Sequence, residues 1–179
     1  MDKIEQVQIC KMTVAQMHAF FKEFTYDPAT FADQSKMELY VYDAKLVDAY
    51  CKKHEEQGKM HFAILLGNKV IGDIYLKQVN HDKHTCELGI HLINDCYKNK
   101  GYGTNAIKLL LSYAFNELKM EKVFANSLVA NTRSQRVLTK AGFCLTKRDE
   151  VYFYYECSHN AWFKQNSHSK TRQPMGVSL

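Results

Sequence analysis

The sequence predicts a mixed α/β domain. Three observations predict it: amphipathic helical periodicity in the first third, a β-hairpin with a further alternating strand in the middle, and strands alternating with helices after that. The chain has 179 residues, 46% of them hydrophobic and 12% aromatic, with only 2 Pro and 8 Gly. That composition excludes a disordered chain, a collagen-like fibre and a low-complexity linker. A chain of this length buries roughly 70% of its surface, so one core suffices. We expect a single domain over residues 1–164 and a polar tail over 165–179.

The elements follow in order. Residues 3–11 alternate polar and apolar and read as a strand. VAQMHAFFKE (14–23) and DAKLVDAYCKKHEEQ (43–57) read as amphipathic helices around a turn-rich segment at Asp27-Pro28. HFAILL and KVIGDIYLKQ, joined at Gly67-Asn68, form a hairpin. In the third strand, TCELGIHLI (85–93), Cys86, Leu88, Ile90 and Leu92 share a core face. Glu87, Gly89, His91 and Ile93 share the other, so a carboxylate and an imidazole sit on one side of a strand that runs into a glycine loop.

That loop is DCYKNKGYGT (95–104), and the helix NAIKLLLSYAFNELK begins at its end. Ile107, Leu110, Leu111, Ala114 and Leu118 make its apolar stripe, with Lys108, Ser112 and Asn116 on a polar face. KVFANSLV is a strand, and Asn131 caps the helix TRSQRVLTK, which stops at Gly142. FCLTKRD and VYFYYEC are β-rich, and HNAWFK precedes the tail, where His168 is read as solvated.

The net charge is +5 and unevenly spread. Residues 1–60 carry 8 basic and 10 acidic side chains, and residues 61–156 carry 13 and 9. A basic middle suits an anionic ligand; an acidic first third suits a cationic one. No basic run with interleaved aromatics reads as a nucleic-acid face, and the longest apolar runs, such as FAILL, are too short for a bilayer. The N-terminus has no signal-peptide core. The 6 cysteines contain no C-x-x-C pair and read as reduced thiols, so a soluble cytoplasmic protein is expected. His81, His84 and Cys86 lie at a turn without a second ligand cluster, and no metal is expected.

A strand, a glycine loop and a helix N-terminus together bind phosphate through backbone N–H groups and the helix dipole. Gly101 and Gly103 suit such a loop, and Lys98 and Lys100 add charge; the alternative is a tight turn leading into a helix. Ala106 stands where a Rossmann fingerprint needs its third glycine, and the P-loop pattern is absent.

With E-L-G in the third strand, G-x-G in the loop, Y-A-F on the helix and N-x-x-S…L-x-x-x-G-F beyond it, residues 60–148 closely resemble the core of GNAT superfamily N-acetyltransferases. They look most like the RimJ/RimL-type branch, and residues 3–30 match loosely. The resemblance implies a mostly antiparallel central sheet of six to seven strands with helices on both faces. It also implies acetyl-CoA as the donor cosubstrate. His91, Leu92 and Ile93 would pair with the pantetheine. Lys98, Asn99, Lys100, Gly101, Tyr102, Gly103 and Thr104 would cradle the pyrophosphate, and Asn131 and Ser134 would approach the thioester end. Lys98 replaces the usual Gln or Arg and loses the bidentate fork.

Acetyl transfer to an amine needs a neutral nucleophile, a polarised carbonyl and a proton for the thiolate. Glu87, matching the family's third-strand glutamate, is the expected base; its alternative role is a structural carboxylate. His91 is a second candidate. The tyrosine that serves many relatives as acid is here Leu138, which leaves Ser134, Tyr152, Tyr154 and Tyr155 as candidates. The acceptor is expected to be a small-molecule amine or a protein N-terminus. The acidic Glu23, Asp27, Asp33 and Glu38 would favour a cationic one, among polyamines, amino sugars, antibiotics or a basic N-terminus. No nucleic-acid or membrane partner is expected, and the family resemblance allows a homodimer. The rival reading is a non-catalytic acyl-CoA-binding or regulatory domain.

Overall fold

The computed structural model describes residues 6–33, 35, 37, 39–167 and 177–178, with only the backbone at 167, 177 and 178. Glu38, His168, most of the tail and the start of the first expected strand lie outside the described residues. The order of elements is β1 (Val7–Lys11), α1 (Val14–Glu23), α2 (Ala44–Glu56), β2 (Met60–Leu66), β3 (Lys69–Asn80) and β4 (Thr85–Leu92). Then come α3 (Tyr102–Asn116), β5 (Lys122–Leu128), α4 (Thr132–Ala141), β6 (Cys144–Arg148), β7 (Tyr152–Ser158) and α5 (His159–Ser167). A two-residue β8 (Val177–Ser178) closes the described chain.

One sheet holds all the strands among the described residues, in the order β6-β7-β5-β4-β3-β2-β1-β8. It is antiparallel except where β4 meets β5 and β1 meets β8. The mixed, mostly antiparallel sheet agrees with the expectation, with β8 as a short addition at the edge. The larger core packs β1–β5 and β7 against α3, α4 and α5, with Ile64, Ile74, Leu110 and Val123 fully buried. On the opposite face Met17 and Phe20 of α1 meet Val47 of α2 and Ile93. Among the described residues no helix is long and apolar enough to cross a membrane.

Local chemistry sets the helix starts. Thr13 and Gln16 form a reciprocal capping box at α1, and the Asp43 carboxylate accepts from the Lys45 and Leu46 amides at α2. Asn131 accepts from the Ser134 amide at α4, and Gly142 ends that helix in the left-handed region.

Three details differ from the sequence reading. Helix α3 begins at Tyr102, not near Asn105, because Gly101 at φ 83° is its N-cap and turns the loop straight into the first helical turn. Ser112 is buried rather than on a polar face, its hydroxyl accepting from Asn116 Nδ2 at 3.1 Å. Beyond VYFYYEC the chain is helical through Ser167, anchored by buried Trp162 against Phe115 at 5.6 Å between ring centroids.

Candidate active site

Strands β4 and β5 run side by side through only three residue pairs, Thr85↔Lys122, Cys86↔Val123 and Glu87↔Phe124, and then part. Beside the parting lies a cavity of about 520 Å³. Its walls are Ile90, His91 and Leu92 of β4, the first turns of α3, one side of α4, and Phe24 to Thr30 after α1.

The α3 end of the cavity is built to receive an anion. Gly101 offers no side chain to cap the helix, so the first-turn amides stay open. A Cβ at Gly101 would meet no atom within 4 Å, whereas one at Gly103 would only touch Ile90 and Val137 at 3.8 Å. Arg133, Arg136, Lys98 and Lys140 add positive charge to the lining.

Four of the charged groups at this mouth form a closed ring. Lys98 Nζ lies 2.8 Å from Asp27 Oδ2 and from Asp95 Oδ1. Arg133 bonds the same carboxylates at 2.9 and 3.2 Å. Burial works against the Asp27 charge, yet the bonds from Lys98 and the Ala29 amide, with the charges of Lys98 and Arg133, hold its carboxyl below the usual range. The ring ties the segment after α1 to α4 across the cavity mouth.

The other face of β4 carries the remaining candidates. Glu87 accepts from Lys77 Nζ at 2.8 Å and from Asn126 Nδ2 at 2.9 Å, so it is held at the point where the strands part. Gly89 stands opposite Tyr75 on β3. A Cβ at Gly89 would stand 2.5 Å from Tyr75 Cε2 and closer still to Cζ and Oη, so the Tyr75 ring lies across the strand between Glu87 and His91. Burial first, then the charges of Asp73 and Glu87, push the Tyr75 phenol up to about 12, and it stays protonated. The His91 ring is open to the cavity but deep in the protein mass, and desolvation holds its pKa below the ordinary value. Behind these, the Oδ1 of buried Asp73 is hydrogen-bonded to His61 Nδ1 at 2.8 Å.

Most of the expected donor-site residues come together here: His91, Leu92, Lys98, Asn99, Gly101, Gly103, Thr104, Asn131 and Ser134 all line the cavity. Ile93 does not; it is fully buried against α1 and α2. Tyr102 packs partly into the larger core, and Lys100 is exposed outside the lining. Leu138 is 3% exposed and forms cavity wall. Of the tyrosines on β7, Tyr155 faces the core, while Tyr154 donates to Asp149 Oδ2 at 2.8 Å. Two acidic groups expected to attract a cation are already paired, Glu23 with Lys69 at 2.8 Å and Asp27 within the ring. Of His81, His84 and Cys86, Cys86 is in the core, its thiol pushed up to about 12 by burial. Sequence reasoning missed Arg133, Arg136 and Lys140, whose spacing along one helix face was the available signal, and Tyr75, for which the facing glycine was the only hint.

Comparisons with known proteins agree with this geometry. The family model described as the acetyltransferase (GNAT) domain matches residues 8–144. The probable N-acetyltransferase YjcK of Bacillus subtilis (strain 168) is 32% identical over 102 residues, covering 55% of this chain and 56% of YjcK. The chain thus spans about half the length of that relative. The aminoglycoside acetyltransferase AAC(6′)-Ib, solved with coenzyme A, superposes with a TM-score of 0.73 at 16% identity, covering 90% of this chain and 99% of that one. Spermidine N-acetyltransferase from Vibrio cholerae, solved with CoA and spermine, gives 0.72 at 14% identity, over 88% and 98%. A sheet parted beside a basic helix N-terminus, in a chain that matches the family model over most of its length, leads to one conclusion: this chain belongs to the GNAT acetyltransferase family.

Proposed function

We propose that the protein moves the acetyl group of acetyl-CoA to a primary amine by direct attack within a ternary complex. The observation that carries this is the parting of β4 from β5 beside the open amides of α3, with Glu87 held where the strands separate. The donor's diphosphate would take the α3 amides with Lys98 and Arg133, and its amide-bearing arm would lie along His91 and Leu92. Glu87 would accept the amine's proton. Tyr75, kept protonated beside Gly89, supplies the hydroxyl that buried Leu138 does not, and would return a proton to the departing thiolate.

We take the acceptor to be a cationic alkylamine. With Glu23 and Asp27 already paired, the support comes from aromatic faces beside the cavity. Phe24 lies 5.4 Å from Tyr26 and 6.4 Å from His91 between ring centroids, and such faces attract ammonium groups. The polyamine and aminoglycoside enzymes of like fold support the same acceptor class. The RimJ/RimL-type motifs, six free cysteines suited to the cytoplasm, and a homodimer belong to the same reading.

The test is calorimetric titration with acetyl-CoA, followed by turnover with an amine panel. Gly103→Glu should abolish donor binding. Glu87→Gln should keep it and lower kcat by about 10²- to 10⁴-fold. Donor binding with no turnover on any amine would return the chain to the non-catalytic reading.

A further inference from the structure

We propose that Lys59 is an acceptor within the chain itself: the protein acetylates its own Lys59 Nζ. The inference rests on the acetyl-transfer reading above. Lys59 immediately precedes β2, and its ammonium lies 3.8 Å from the centroid of the Tyr75 ring and 5.9 Å from that of Tyr50. The same Tyr75 ring lies across Gly89, between Glu87 and His91. A chain amine therefore stands on an aromatic ring whose centroid lies 5.9 Å from that of His91, a residue of the cavity wall. The charged groups acting on it are Asp73, Lys77 and Glu87. Desolvation is the largest influence and lowers its pKa, which favours the neutral, nucleophilic amine. Other lysines near aromatic rings lie farther off, such as Lys22 over Tyr42 and Lys147 over Tyr154, both at 5.5 Å.

The chemistry balances with acetyl-CoA as the only co-reactant. The Lys59 ammonium gives one proton to Glu87, and the Nζ lone pair attacks the thioester carbonyl. The C–N bond forms and the C–S bond breaks, with its electron pair leaving on sulfur. The second amine proton goes to the thiolate. The products are an acetamide on Lys59 and the free thiol of CoA, with one proton released to solvent through Glu87. Acetylation removes the resident cation from the Tyr75 ring and leaves Glu87 and Asp73 less compensated, so a cationic acceptor then enters more readily.

The test uses the whole chain, acetyl-CoA and no added amine, with peptide mass spectrometry over a time course. Lys59 should gain one acetyl group about tenfold or more faster than exposed Lys45 and Lys108, because it is held on the ring beside the candidate base while they meet the thioester only by chance encounter. The fraction modified per unit time should not depend on protein concentration. Gly103→Glu should abolish the excess rate, and excess CoA added to the unaltered protein should do so without any mutation. The proposal is overturned if Lys59 only keeps pace with Lys45 and Lys108, if its excess rate survives CoA, or if Lys59 stays unmodified while added amines turn over. Donor binding without acetylation of either Lys59 or any amine would instead sink the acetyl-transfer reading, and this inference with it.

Discussion

Replacing Gly89 by alanine tests the packing on which the candidate site depends. On backbone grounds alone, alanine in a strand is better than glycine by about 0.5–1 kcal/mol. Here the added Cβ would stand 2.5 Å from Tyr75 Cε2. The ring has little room to retreat, since His61 and His91 lie 5.2 and 5.9 Å away between centroids and the Lys59 ammonium sits on its face. Overpacking of this kind costs about 1–3 kcal/mol, so Gly89→Ala should destabilise by about 1–2 kcal/mol net. For a domain of this size that lowers Tm by about 2–8 °C. A leucine at position 75 is too short to cross the strand, and in a Tyr75→Leu background the same alanine should become stabilising by about 0.5–1 kcal/mol. Urea denaturation of the four proteins, followed by circular dichroism, gives the coupling, expected near about 2 kcal/mol. Additivity within about 0.5 kcal/mol would refute the account of why glycine faces tyrosine here.

Further outcomes follow from the cavity and from the groups beneath α2. Asp27→Asn should tighten acetyl-CoA binding by about threefold or more at low salt, because Lys98 and Arg133 lose a competing anion; weaker binding in calorimetry would contradict this. Leu138→Ala should cost about 2–5 kcal/mol in denaturation, from the cavity left in a well-filled wall. Burial first, then the charges of Lys59 and His61, hold the pKa of His54 at about 4 against its usual 6.5. The unfolded chain therefore binds more protons in that interval, so the His54 contribution should be flat above about pH 7 and stability should fall as the pH drops from about 6.5 towards 4. His54→Phe should flatten this slope in a series of thermal melts, and an unchanged slope would assign it to other groups.

The strands and the glycine loop before α3 were legible because their signals are local. Alternation in TCELGIHLI separates Cys86 and Leu88 from Glu87 and His91, and the burial pattern agrees. Glycines 101 and 103 mark the loop, although the helix claims that loop's last residues because a left-handed glycine needs no further chain to turn. The less legible features depend on residues far apart in sequence. The ring at the cavity mouth joins Asp27 to Arg133, 106 positions later. The contact of Tyr75 with Gly89 depends on the antiparallel register of two strands, which no single stretch of sequence states. Helix α5 is weakly amphipathic and meets the core through His159 and Trp162 against Phe115, so periodicity did not reveal it.

A sheet that parts in its middle has raw edges inside the molecule as well as at its rims. Raw strand edges invite other chains to join them, which is why proteins usually cover or charge them. Here the first turns of α3 and α4 wall the cavity beside the β4 edge, so under the donor reading proposed above the opening would sieve on bulk. A polypeptide brings a side chain at every residue and would collide with those walls. A thread of amides without side chains would not. On that reading the same parting would admit one narrow ligand while refusing the strands of neighbouring proteins, with a selectivity that comes from what the visitor lacks.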